Sequence, residues 1–184
     1  MQDQIRNNQA GQSNAMKVYL ALLVVSIGWL AIIFAAPILA VNGHQLSALV
    51  IYQGLSAVCH QMPDRSFHLD GLPLGVCSRC TGIYSGFIAG LVVYPLMRNL
   101  SNQQMPQRIW MILAVSPALI DFGGGFLGLF TNTFFSRTAT GALLGAVAAF
   151  YILPGFVSIF SDFSTEIFLW RKLITKNLPS SAER

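Results

Sequence analysis

Charged residues are scarce in this sequence. Only 10% of the 184 residues are Asp, Glu, Lys or Arg, whereas 54% are hydrophobic. A water-soluble domain of this size with that balance would leave much apolar surface in water. A membrane-spanning helix needs about 20 mostly apolar residues, and four stretches of the chain are near that length. We therefore predict an all-α integral membrane protein, a four-helix bundle embedded in the lipid bilayer.

A basic stripe is also missing. The 11 Lys and Arg residues are scattered in ones and twos around the apolar stretches, and none of these groups resembles a surface that follows a phosphate backbone. Nucleic acid is therefore not an expected partner. A cleaved secretory signal is not expected either, because the first apolar run, residues 18–41, is long enough to remain as a membrane span.

Cysteine is rare, and its placement is uneven. The chain has three cysteines, all between residues 59 and 80, and its three histidines fall at or near the same loop, at positions 44, 60 and 68. Three cysteines are too few for a disulfide scaffold, and cysteines that merely fill a core are not usually grouped in one loop. The grouping indicates a functional site.

The apolar pattern divides the chain into three regions. We predict a disordered polar tail over residues 1–16, a single transmembrane domain over 17–160 with its Cys/His loop at 42–80, and a surface tail over 161–184. That last tail has the apolar spacing and basic residues of an amphipathic helix on the cytoplasmic membrane surface. The predicted spans are residues 18–41, 80–97, 109–130 and 138–156. Residues 45–58 are apolar but too few to span, which favours an interfacial or re-entrant helix.

Small residues recur at every fourth position in the second and fourth spans. They are Gly82, Gly86 and Gly90 in the second, and Gly141, Gly145 and Ala149 in the fourth. Such ridges let two helices approach closely in a membrane. We expect these two spans to pack together, although the same ridges would also suit a contact in a homo-oligomer or with a partner in a membrane complex.

The third span carries an acidic residue, Asp121, followed directly by three glycines at 123–125. A carboxylate at membrane depth costs on the order of 3 kcal/mol on insertion scales, so Asp121 should face the bundle interior and have a partner. Arg79 and Arg137 are the candidates. The glycine run leads us to expect a kink or break in the helix at this point.

The distribution of basic residues predicts an orientation. With four spans, eight Lys and Arg fall on one side, against Arg65, Arg79 and Arg137 on the other. The more basic side is normally cytoplasmic. Both termini are therefore expected in the cytoplasm of a multi-pass protein of the cell inner (plasma) membrane, with the Cys/His loop on the extracytoplasmic side.

The cysteine loop suits a metal ion. Cys77 and Cys80 lie where the second span begins, and a helix N-terminus and the adjacent Arg79 both favour thiolate. With Cys59 they form three sulfur ligands, and a histidine would complete a Cys3His tetrahedral zinc site. His60 is the first candidate for that ligand, His68 is nearly as good, and His44 is a distant third. Cu(I) is an alternative to zinc, because thiolates select it as well.

Three other functions remain open. Cys77 and Cys80 form a C-x-x-C pair that would permit thiol–disulfide exchange, with Cys59 as a resolving thiol. The arrangement is similar to that of quinone-linked thiol oxidases of the bacterial inner membrane, although this chain lacks their second cysteine pair. The second alternative is that the loop staples the structure or docks a partner as an accessory subunit. A small transporter is the third alternative, because an acid beside a helix break often lines a pathway.

Two groups of residues carry a resemblance to a known family. One is Cys59-His60-Gln61, Arg65-Ser66-Phe67 and Cys77-x-Arg79-Cys80-Thr81-Gly82-x-Tyr84-x-Gly86; the other is Pro117, Asp121, Thr131-Asn132, Arg137 and Thr140-Gly141. Together they resemble the signature of a family of small prokaryotic multi-pass membrane proteins of unknown function. The resemblance covers roughly residues 59–145. It implies that the cysteine loop and the segment from Asp121 to Arg137 form one unit.

These observations combine into one site hypothesis. Cys59, Cys77 and Cys80, with His60 or His68, would hold the ion. Around them, Arg65, Arg79, Asp121, Asn132 and Arg137 would form a charged and hydrogen-bonding surround or a small-ligand pocket. The pattern assigns ligands, but it assigns no catalytic residue and no reaction.

Overall fold

A computed structural model of the protein describes residues 2–177, and the surroundings of side chains over residues 11–160. In chain order the elements are α1 (Gln2–Val41), α2 (Gln45–Ser56), a one-turn 3-10 helix (Pro63–Arg65), β1 (His68–Leu69), β2 (Leu72–Pro73), α3 (Ser78–Met97), α4 (Arg108–Phe126) and α5 (Phe134–Asn177).

The predicted all-α membrane fold is confirmed. In the part of the chain that the structure describes, four helices are long and apolar enough to cross a membrane. They are Gly11–Val41, Ser78–Met97, Arg108–Phe126 and Phe134–Phe160. The apolar segment after the first span forms α2, a helix of only 12 residues, which is too short to span, as its length predicted.

The two small-residue ridges pack against each other, as predicted. A Cβ added to Gly82 would overlap the backbone of Thr138, and one added to Gly86 would overlap that of Ala142. Because the contacts advance together along both helices, α3 and α5 run parallel. α4, which joins them in the sequence, runs antiparallel to both. Only glycine allows backbones this close, so the ridge sets the central contact of the bundle.

Two buried apolar clusters fix α1 against the other helices. At one end of the bundle Ala15 and Val18 pack with Leu91, Tyr94 and residues of α5. At the other end Ile33 packs in a cluster that also contains Leu55, Leu74, Val76 and Cys59. α1 is therefore antiparallel to α3. We call this second end, where α3 and α5 begin, the cysteine end.

The helices are longer at both ends of the chain than the apolar pattern predicted. α1 begins at Gln2 and so includes residues predicted to be a disordered tail. Extending an existing helix costs far less than starting a new one, which accounts for the continuation. α5 continues past Pro154 to Asn177 without a break. Residues 178–184 of the predicted surface tail lie outside the described residues, and the interfacial position of that tail stays a prediction.

The expected break in the third span does not occur at the glycine run. α4 remains helical to Phe126, and the chain turns only at Gly128, which has φ +71°. The glycines instead provide room for the returning loop. A Cβ on Gly124 would overlap the Phe130 ring, and one on Gly125 would overlap the Asn132 side chain.

A reciprocal cap starts α5 directly after this loop. The Thr133 hydroxyl accepts a hydrogen bond from the Ser136 amide at 3.0 Å, and the Ser136 hydroxyl accepts one from the Thr133 amide at 3.2 Å. This is a capping box with serine in the third position. The cap fixes the start of α5, so the first turn of this helix, which includes Arg137, lies at the cysteine end.

Candidate metal centre

The loop that carries the cysteines is tied together by Gln61. This residue has φ +51°, which is uncommon for a side chain other than glycine. Its side-chain amide donates hydrogen bonds to the carbonyl oxygens of Tyr52 and Gly75, both at 2.8 Å. The bonds join the end of α2 to the segment just before α3. Cys59 is thereby held beside Cys77.

The three cysteines lie together at the start of α3. Their Sγ atoms are all within 4.8 Å of one another, and all three are free thiols. Cys59 is buried with 7% of its surface exposed, and its sulfur accepts a hydrogen bond from the Cys77 amide at 3.3 Å. The grouping predicted from the sequence is therefore present in the fold.

Cys77 is placed to be a thiolate. It is the N-cap residue of α3, so the partial positive charge of the helix N-terminus is next to it. The Cys80 side chain hydrogen-bonds to the Cys77 sulfur, and this bond is the main cause that lowers the Cys77 pKa to about 5. Backbone amides of Arg79 and Cys80 add to the effect. A metal ion would not have to displace a proton from this sulfur at neutral pH.

The histidines lie apart from the sulfur cluster. Among the described residues, the group whose ligand atoms lie close enough to share an ion consists of the three cysteines. His60 is exposed but lines the cavity beside the sulfurs. His68 is exposed in strand β1, where its Cα is paired with that of Pro73, and His44 is the N-cap residue of α2.

Asp121 is paired with Arg79 rather than with Arg137. The carboxylate accepts a hydrogen bond from the Arg79 guanidinium, and the Asn132 side chain donates to the Asp121 carbonyl oxygen at 2.5 Å. The guanidinium also lies over the Phe122 ring, 5.6 Å from its centre. Arg79 follows Cys77 by two residues, so this ion pair links the sulfur cluster to the end of α4.

A cavity of about 860 Å³ opens beside the cysteines. All three cysteines line it, together with His60 and residues from the ends of α4 and α5. Four of the five polar residues predicted to surround the ion line this cavity: Arg65, Arg79, Asn132 and Arg137. The fifth, Asp121, is hydrogen-bonded to Arg79.

Two features of the site were not predicted from the sequence. One is the role of Gln61. This residue is part of the family signature, but a side chain that bridges two carbonyl groups leaves no pattern in the sequence. Phe122 and Phe126 also line the cavity. Their spacing of four residues on a helix was the available signal, because such residues share a face.

Comparison with known proteins identifies the family. A family profile described as "Predicted membrane protein (DUF2085)" matches residues 59–151. The chain is 34% identical over 145 residues to the uncharacterized protein MJ1492 of Methanocaldococcus jannaschii, covering 76% of this chain and 93% of that protein. The chain belongs to the DUF2085 family.

A second relative and the structural search add little to this assignment. An uncharacterized protein of Methanothermobacter thermautotrophicus is 55% identical over 29 residues, which is 16% of this chain and 26% of that protein. No solved structure matches. The segment matched to DUF2085 begins at Cys59 and contains the three cysteines, Asp121 and Arg137. The residues of the candidate centre thus lie inside the family domain.

The ion pair of this DUF2085 protein should be important for its stability. Asp121 is 7% exposed and Arg79 22% exposed, so Asp121→Asn would leave a guanidinium without its counter-charge. We expect a loss of about 3 kcal/mol of unfolding free energy, the usual cost of removing one partner of a buried pair. The measurement is denaturant unfolding of the detergent-purified protein.

The matched control for this change is Asp70→Asn. Asp70 is exposed in the turn between β1 and β2 with φ +50°, a conformation that asparagine also tolerates. Its substitution should leave stability within about 0.5 kcal/mol of the original. Equal stability of Asp121→Asn and Asp70→Asn would show that the Arg79–Asp121 pair adds nothing.

Proposed function

We propose that the protein binds a metal ion at the cysteine end of its membrane bundle, through Cys59, Cys77 and Cys80. The observation that carries the proposal is the meeting of three free thiols from two distant parts of one loop within 4.8 Å. These are all the cysteines of the chain, and cysteines that only fill a core are not usually grouped at one point. Thiolate clusters of this kind are typical metal ligands.

The sulfur spacing suits a tetrahedral ion. With Zn–S bonds of about 2.3 Å, sulfurs at tetrahedral corners are about 3.8 Å apart. Sulfurs within 4.8 Å of one another reach that arrangement with small side-chain shifts. Zinc is the expected metal. Cu(I) is the alternative, because three thiolates without a fourth ligand also satisfy a soft monovalent ion.

A fourth ligand to an ion held by the three sulfurs would come from the cavity, because all three cysteines line it. Structural zinc is normally closed by four protein ligands, whereas zinc with three protein ligands keeps a position for water or an external ligand. The sulfurs line an open cavity of about 860 Å³, which favours an accessible ion over a purely structural one. His60, on the same cavity wall, is the residue we propose for the fourth ligand when the site is closed.

The orientation belongs to the same proposal. We place both termini in the cytoplasm and the cysteine end outside the inner (plasma) membrane, because Lys and Arg are more numerous on the side of the termini. A metal centre at that end would meet ions that arrive from outside the cell.

Metal analysis combined with thiol counting tests the proposal. Elemental analysis of detergent-purified protein should find about one zinc or copper per chain. After denaturation and chelation, alkylation should modify three thiols, because metal binding leaves the cysteines reduced. A metal-free protein with one thiol and a Cys77–Cys80 disulfide would refute metal binding.

His60→Ala and His68→Ala form a matched pair for the fourth ligand. Both residues are exposed histidines of the same loop, but only His60 lines the cavity beside the sulfurs. We expect His60→Ala to weaken zinc binding by about 10-fold or more, whereas His68→Ala should leave it unchanged. Competition with a chelator of known affinity measures both. Equal affinity in the two variants would remove His60 from the ligand set.

Thiol–disulfide exchange is the second candidate function. It is favoured by the closeness of the Cys77 and Cys80 sulfurs, which lie within 4.8 Å at the start of α3. Forming the disulfide would remove two protons and two electrons, and a membrane quinone would be the acceptor. Quinone-dependent oxidation of the pair in membranes would support this function. Thiols that stay reduced with quinone present would exclude it.

A further inference from the structure

The cavity beside the cysteines has an excess of positive charge. Arg65, Arg79 and Arg137 line it, and the Arg79 charge is balanced by Asp121. Two guanidinium charges remain. Arg65 and Arg137 carry them, and no carboxylate is among the described residues that line the cavity.

Arg137 is the more informative of the two remaining arginines. Its Nε atom is buried and has no hydrogen-bond partner among the described residues. A buried donor without a partner costs about 1–3 kcal/mol, and more when the group is charged. The Nε atom itself is closed off from the cavity, but the Arg137 side chain lines the cavity wall. An anion in the cavity would supply a counter-charge and acceptors to this guanidinium.

Part of the cavity wall is aromatic. Phe122, Phe126 and Phe130 line it and are 55%, 81% and 46% exposed. The Phe122 and Phe126 rings stack with centres 6.3 Å apart. One cavity thus combines free guanidinium groups with an open aromatic surface.

We propose that this cavity binds an amphiphilic oxyanion. Arg65 and Arg137 hold its phosphate or carboxylate group, since the planar guanidinium fork matches both groups. An attached apolar group packs on Phe122 and Phe126. Anion binding at this site requires no metal, so this proposal is independent of the proposed metal centre.

The position of the cavity leaves two sources for such an anion. The cavity lies where α3 and α5 begin and α4 ends, which is the level of the lipid headgroups for helices that span the bilayer. An anionic phospholipid and a soluble aryl phosphate share the required chemistry. The two differ only in how they reach the cavity.

Binding to the full-length protein in uncharged detergent tests the proposal. The probes are dioctanoyl phosphatidic acid, phenyl phosphate and, as the zwitterionic control, dioctanoyl phosphatidylcholine, titrated by native mass spectrometry. We expect at least one of the two anions to bind about 10-fold or more tightly than phosphatidylcholine. Phosphatidic acid alone would identify the lipid source, and equal binding of phenyl phosphate would identify the soluble source.

Arginine variants locate the bound anion. Arg65→Gln and Arg137→Gln should each weaken binding by about 10-fold. The matched control is Arg98→Gln, because Arg98 donates to the Gln104 carbonyl at 2.9 Å at the opposite end of α3. Arg65 is exposed, so its variant remains informative if Arg137→Gln fails to fold.

Two results would overturn the proposal. One is phosphatidylcholine binding as tightly as both anions. The other is unchanged anion binding in Arg65→Gln. Metal content measured on the same samples distinguishes the two proposals. A protein that binds the anion but contains no metal would contradict the metal centre and support the anion site.

Discussion

Cys77→Ser should lower the metal content of the purified protein from about one ion per chain to nearly none. The substitution removes the sulfur whose pKa of about 5 makes it thiolate at neutral pH, and a serine hydroxyl stays protonated there. Two thiols without the third bind zinc far more weakly, because each ligand contributes to the same ion. Elemental analysis after gel filtration is the measurement.

Cys59→Ala is a second test of this prediction, and His68→Ala is its control. Cys59→Ala keeps an apolar side chain in the buried cluster with Ile33 and Leu74 but removes a sulfur, so it should also lose the ion. His68→Ala alters an exposed residue of the hairpin and should keep it. Full metal content in Cys77→Ser or Cys59→Ala would mean that the ion binds elsewhere.

Gly86→Leu should prevent the bundle from folding correctly. A side chain at this position would overlap the carbonyl oxygen and Cα of Ala142, and backbone atoms in the middle of a helix cannot move aside. We expect a loss of about 3 kcal/mol or more, at the upper end of overpacking effects. Thermal unfolding in detergent, followed by the loss of the monodisperse gel-filtration peak, measures it.

Gly28→Leu is the matched control for this change. Gly28 also lies within a membrane-spanning helix, α1, but a Cβ there has nothing within 4 Å. The same substitution should therefore leave the unfolding temperature nearly unchanged, and leucine even improves helix propensity over glycine. If both variants unfolded alike, general intolerance of leucine would explain the result, and the α3–α5 contact would not.

Much of the bundle could be predicted from the sequence because its main contact uses a short-range pattern. Gly82, Gly86 and Gly90 repeat every four residues, and this spacing puts them on one helix face whatever the rest of the chain does. A buried carboxylate needs a positively charged partner, which likewise predicted that Asp121 pairs with Arg79 or Arg137. The choice between the two depended on where α4 ends relative to α3, which no local pattern contains.

The remaining features depend on contacts between distant segments. The glycines after Asp121 suggested a broken helix, but they accommodate Phe130 and Asn132 from the returning loop. The short hairpin at residues 68–73 has too few residues for an alternating pattern. The loop that brings Cys59 to Cys77 is held by Gln61 bonds to two carbonyl oxygens, and any polar side chain could have made them.

The most direct test of the metal centre is X-ray absorption spectroscopy of the purified protein. Measured at the absorption edge of the metal found by elemental analysis, the spectrum counts the sulfur atoms bound to the ion. The three-cysteine site predicts about three sulfur neighbours, at about 2.3 Å if the ion is zinc. A metal surrounded by oxygen or nitrogen alone, or a protein without bound metal, would contradict it.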